Sequence, residues 1–141
     1  MNILIIGFGN VGKYYFDILS RNKKIKKIFI CNDKRLQENK KYTQIPFDLK
    51  KIKEAKIDSA IVCTPSNLHF KFSKTLALNS INLLIEKPFV LQIKHAYNLI
   101  KISNKKKIKY ALSCLKSHLF KCRPSRLNIA NLLFPRTIFT D

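Results

Sequence analysis

The sequence predicts an α/β domain built on a doubly wound parallel sheet, and three observations carry that prediction. Short apolar runs rich in Ile alternate with longer amphipathic stretches from the first residue to about residue 112. Only brief polar spacers separate them, so consecutive elements are expected to be neighbours in space. The first apolar run also opens directly into Gly7, Gly9 and Gly12, the three glycines of the chain.

Asn2–Ile6 reads as a strand, because a continuous apolar run belongs to a strand covered on both faces. A turn follows at Gly7–Gly12, then a helix from Val11 to about Ser20 with Phe16, Leu19 and Ser20 on its inner side. Lys27–Cys31 is a second strand, stopped by Asn32-Asp33. A short strand around Tyr42–Ile45 is cut by Pro46, and Asp48 caps a helix reaching about Lys56. Asp58–Cys63 is a strand ended by Thr64-Pro65, after which Ser66 caps a helix that turns Phe70, Leu76 and Ala77 inward. Asn82–Ile85 is the next strand, closed by Glu86-Lys87-Pro88. A helix over Leu91–Ile102, a solvated loop at Lys105–Lys107 and a strand at Ile108–Leu112 complete the alternation.

The 141 residues make one domain by length, and a hydrophobic fraction of 46% is enough for a single core. Apolar runs fall far short of the ~20 residues a membrane helix needs, and Met1-Asn2 lacks the basic start of a secretory leader. Cys31, Cys63, Cys114 and Cys122 form no disulfide pattern, so a cytoplasmic setting is expected. Cys114, His118 and Cys122 could share a helix face, but a structural zinc site needs a fourth ligand and none is indicated. No metal is therefore expected.

The net charge is +20. Such an excess can mark a polyanion partner. Here the basic residues are 23 Lys and only 5 Arg, beside 19 Ile and 12 Asn, all favoured by A/T-rich codons. They are dispersed, with no aromatic platform near Lys105–Lys107, so no specific nucleic acid is expected. Composition breaks after Leu112: no acidic residue lies between Lys87 and Thr140, and no Lys follows Lys121. Residues 1–112 are thus expected to form the domain and 113–141 an atypical tail.

Gly7-Phe8-Gly9-Asn10-Val11-Gly12 is G-x-G-x-x-G between a strand and a helix. Gly7 allows a tight turn, Gly9 lets backbone approach a pyrophosphate, and Gly12 lets helix pack on strand. Unpaired amides at the helix start would hold the anion. Asp33 lies 21 positions beyond Gly12, where a carboxylate can accept from both adenosine ribose hydroxyls. That favours NAD, although Lys34 and Arg35 could neutralise the extra phosphate of NADP. Thr64-Pro65 and His69 follow the fourth strand at the edge where open α/β sheets bind ligands, and His69 could reach cofactor or substrate. Glu86-Lys87-Pro88 closes the fifth strand on that edge. Lys87 can donate to a substrate oxygen, with Glu86 orienting it.

Together these motifs resemble the glucose–fructose oxidoreductase/inositol dehydrogenase (Gfo/Idh/MocA) family, over roughly residues 1–112. The resemblance implies a Rossmann fold and NAD(P) held at Gly7, Phe8, Gly9, Asn10, Val11, Gly12, Asp33 and Lys34. It also places the nicotinamide half near Thr64, Pro65, His69 and Glu86, with Lys87 at the reacting oxygen of a sugar, cyclitol or nucleotide-sugar alcohol. Family members continue into a second α/β domain that nothing after Leu112 resembles, and Ser113–Lys116 holds no counterpart of the family's usual Arg. A truncated or frame-shifted member is therefore expected, either an oxidoreductase domain incomplete for catalysis or a dinucleotide-binding remnant without turnover. A basic polyanion binder is the third class.

Overall fold

A computed structural model describes residues 1–37 and 39–112. Six parallel strands form one sheet: β1 (Asn2–Ile6), β2 (Lys27–Cys31), β3 (Thr43–Gln44), β4 (Ser59–Val62), β5 (Asn82–Ile85) and β6 (Tyr110–Leu112). Four helices connect them: α1 (Asn10–Ser20), α2 (Leu49–Glu54), α3 (Ser66–Leu78) and α4 (Ile93–Lys106). The strand order is β3-β2-β1-β4-β5-β6, so the winding reverses between β1 and β4. Ligands of such sheets bind outside the carboxyl ends of the strands at that reversal.

The expected Ile-rich strands carry the core. Ile3, Leu4, Ile5 and Ile6 are buried in turn, as are Ala60, Ile61 and Val62 beside them. Alternate residues enter opposite layers: Leu4, Val62, Leu83 and Ile85 pack on one face, Ile3, Ile5, Ile61 and Leu84 on the other. Register is continuous at the carboxyl end, where Ile6 pairs with both Cys31 and Val62, and Val62 pairs with Ile85.

Several boundaries differ from expectation for identifiable reasons. The inner side of α1 is Gly12, Tyr15 and Leu19, while Phe16 is half-buried and Ser20 exposed. Gly12 has no side chain to mark the stripe, which shifts its apparent centre by one residue. Pro65, not Ser66, takes the cap position of α3, and no side-chain bond caps that helix. Asp48 does cap α2, accepting from the Lys51 amide at 2.9 Å. Helix α4 begins after Gln92 and runs through Lys105 and Lys106, which join its last turn instead of a loop. Cations there complement the negative end of the helix dipole. Lys107 then ends the helix in the left-handed conformation. The expected tail, with Ser113–Lys116 and the Cys114, His118 and Cys122 trio, lies outside the described residues.

Among the described residues no helix is long and apolar enough to cross a membrane. The inward face of α3 gives a direct check on the packing. Leu76 is fully buried and Leu78 is 46% exposed. Leu76→Ala is expected to lower the unfolding free energy by about 2–5 kcal/mol and Leu78→Ala by under about 0.5 kcal/mol, read from urea denaturation.

Candidate functional site

Parallel pairing delivers four chain segments to one sheet edge: Gly7 after β1, Asn32-Asp33 after β2, Cys63-Thr64 after β4 and Glu86-Lys87 after β5. Backbone bonds extend the ladder there, with the Gly7 amide donating to Cys31 O at 2.9 Å, Cys63 to Ile6 O at 2.8 Å and Glu86 to Val62 O at 3.0 Å.

The three glycines meet different constraints. Gly7 has φ of +88°, and a Cβ there would lie 2.7 Å from the Cys63 carbonyl oxygen. That is too close for any side chain, so the first turn and the end of β4 touch through bare backbone. A Cβ on Gly12 would overlap the Gly7 carbonyl oxygen. Gly9 is unlike both: its φ is −75°, and a Cβ would meet nothing within 4 Å. Gly9 stands at the cap of α1 with no side-chain cap bond, exposed together with Asn10. The first-turn amides of α1 therefore face an open approach, a cradle suited to a diphosphate.

Phe8 is partly buried against the core layer that holds Ile3 and Ile5. It packs edge-on against Phe16 at 5.7 Å and tilted against Tyr42 at 5.7 Å, while its amide donates to Asn32 Oδ1 at 3.1 Å. Val11 is half-buried in the same layer. Asn32, read from sequence only as a strand stop, thus ties the glycine turn to the end of β2. Its neighbour Asp33 is exposed, with Oδ1 accepting from the Lys34 amide at 2.9 Å. Asp33 and Arg35 border an open cleft of about 970 Å³ that Leu36, Tyr42 and Pro46 also line and in which the glycines take no part.

Across the reversal, Glu86 is 7% exposed and fixed at both oxygens. Tyr15 donates its hydroxyl to Oε1 at 2.8 Å, and the Lys87 amide donates to Oε2 at 3.2 Å. Glu86 is thereby held by α1 and engages Lys87 through its backbone. Lys87 is exposed, precedes a cis peptide to Pro88, and its ammonium forms no ion pair with a described residue. Tyr15 escaped the sequence reading because an aromatic at helical spacing reads as core; only its hydroxyl signals a polar partner. The Thr64 hydroxyl is buried and has no hydrogen-bond partner among the described residues, at the edge of the same crevice. His69 is 1% exposed. Its Nδ1 lies 2.8 Å from the Pro88 carbonyl oxygen and its Nε2 2.7 Å from that of Thr64. Both ring nitrogens thus face protein carbonyls.

Burial pushes the Cys63 thiol up to about 12, reinforced by the nearby Glu86 carboxylate. The thiol therefore stays protonated at neutral pH and is a packing group, not a nucleophile.

The model of the Gfo/Idh/MocA oxidoreductase family, NAD-binding Rossmann fold, matches residues 1–113. No curated protein matches. Among solved structures, a putative oxidoreductase from Bacteroides fragilis superposes with a TM-score of 0.71 at 23% identity, covering 81% of this chain and 37% of its own. Scyllo-inositol dehydrogenase from Lactobacillus casei, solved with NAD(H) and scyllo-inositol, gives 0.71 at 17% identity, covering 80% and 36%. UDP-N-acetylglucosamine 3-dehydrogenase from Acidithiobacillus ferrooxidans gives 0.64 at 21%, covering 79% and 37%. At these identities the likeness establishes the fold, and the chain spans little more than a third of each relative's length.

Two outcomes check the site. Gly9→Ala should change stability by under about 1 kcal/mol, the range for a cap position, whereas Gly12→Ala should lose at least about 3 kcal/mol through backbone overlap, both read by thermal melts. Iodoacetamide at pH 8 should leave Cys63 unmodified in the native protein and label it in guanidinium, scored by peptide mapping.

Proposed function

Since the chain belongs to the Gfo/Idh/MocA oxidoreductase family through its NAD-binding Rossmann domain, we propose that it binds NAD(P) across the carboxyl edge of the sheet and presents Lys87 to a substrate oxygen. The observation that carries this reading is Gly9. The fold itself has no use for a glycine there, since neither φ nor any neighbour excludes a side chain. A ligand that must approach the backbone supplies the reason.

In this reading the amides of Gly9, Asn10, Val11 and Gly12 at the start of α1 receive the diphosphate, and Asp33 accepts from the adenosine ribose. A carboxylate at that position disfavours the added phosphate of NADP, with Lys34 and Arg35 offsetting part of the repulsion. NAD is the favoured cofactor. Thr64, Pro65 and Glu86 border the nicotinamide half. When bound, the cofactor supplies the hydride acceptor or donor. Lys87 supplies a charged hydrogen-bond donor that favours the negative charge developing on the reacting oxygen. The substrate class is a sugar, cyclitol or nucleotide-sugar alcohol, in keeping with solved neighbours that act on scyllo-inositol and UDP-N-acetylglucosamine.

The test is a fluorescence titration with NADH and NADPH, followed by turnover assays on inositols and sugar alcohols. Saturable binding, tighter for NADH, is expected in the natural chain and at least tenfold weaker in Gly9→Trp with an unchanged melting temperature. Binding without turnover would restrict the chain's own activity to holding the nucleotide. Loss of all nucleotide binding, with salt-sensitive retention on DNA, would replace this reading by that of a polyanion binder.

A further inference from the structure

We propose that His69 is a positioning residue, a strut that locks the turn carrying Lys87 to the turn carrying Thr64 and so shapes the nicotinamide end of the site. The proposal rests on the nucleotide reading above.

His69 lies in the first turn of α3 and is 1% exposed, with both nitrogens at hydrogen-bond distance from carbonyl oxygens. A side chain so placed has no donor left for a dinucleotide or a sugar. Its two partners belong to different crossovers: Thr64 leaves β4 and Pro88 leaves β5. Among the described residues this ring makes the hydrogen-bonded link between those turns. Carbonyls only accept, so the neutral ring serves one partner at a time and the imidazolium serves both. Without the ring, the donor shared between the Thr64 and Pro88 carbonyls would be lost, leaving the backbone bond from Glu86 to Val62 and the apolar packing of Phe89 and Val90 on the core.

The consequence falls on Lys87. Its amide is held by Glu86 on one side, and the next residue's carbonyl is held by His69 on the other. Its backbone is thereby pinned on both sides while its ammonium stays exposed. Thr64 is pinned by the same ring through its own carbonyl. The diphosphate end, at the first turn of α1 and Asp33, makes no bond to the His69 ring, and α1 reaches this region through Tyr15 and Glu86 instead.

That separation supplies the test, run on the full chain with two probes. NADH spans both ends of the site, and ADP occupies only the adenosine and diphosphate end. In His69→Leu, NADH affinity is expected to fall at least tenfold by fluorescence, with ADP affinity within twofold of the natural chain by calorimetry. His69→Asn places an amide donor near the Nδ1 position and His69→Gln near Nε2, so each should recover part of the NADH affinity. Unchanged NADH binding in His69→Leu, or equal losses for both probes, overturns the strut. If the Leu variant does not fold, the Asn and Gln variants decide: an NADH-to-ADP affinity ratio unchanged in both overturns it as well. A natural chain that binds neither probe would sink the nucleotide reading itself, and the strut with it.

Discussion

A side chain at position 7 would collide with the Cys63 carbonyl, and that single steric prohibition organises the carboxyl edge. Because Gly7 has none, the turn after β1 lies directly on the peptide leaving β4, at the point where the sheet's winding reverses. Gly12 permits the companion contact by letting α1 settle over the Gly7 carbonyl. Two close backbone approaches thus set where α1 begins and which way its unpaired amides face. Asn32 and Tyr15 then distribute that placement outward, one to the end of β2 and the other to Glu86.

At this edge Glu86 and Asp33 are held by hydrogen bonds from a phenol and from backbone amides, despite a chain with so large a basic excess. The side-chain ion pair Lys51–Glu54 is exposed and lies on α2, away from the site motifs. Surface pairs of this kind contribute little. Glu86, by contrast, is buried with a phenol and an amide as its partners, an arrangement that fixes its direction without consuming the lysine beside it. The dispersed lysines therefore contribute solubility and a general field more than architecture.

Much of this was legible in the residues because parallel strands covered on both faces cannot hide their pattern. Ile3–Ile6, Ala60–Val62 and Leu83–Ile85 are apolar without alternation, and each lies inside a strand. The site's skeleton was legible for a related reason: G-x-G-x-x-G, Thr64-Pro65 and Glu86-Lys87-Pro88 each follow a strand, and parallel topology sends every such junction to one edge. What stayed hidden was pairing between side chains distant in sequence. Nothing local tells that Tyr15 donates to a carboxylate 71 positions away, or that both ring nitrogens of His69 meet backbone carbonyls. Helix ends escaped for the opposite reason: Lys105 and Lys106 suit a solvated loop and a helix's last turn equally well.

The outermost strand on one side, β3, is only two residues long, and Lys40 and Lys41 stand exposed in the turn that precedes Tyr42 and the strand. A border so brief offers almost no row of free amides and carbonyls for an incoming segment to copy, and the lysines repel a second molecule of the same sign. Although its sheet is nearly all Ile, Leu and Val at the centre, the molecule has on this flank a built-in guard against growing into a larger aggregate.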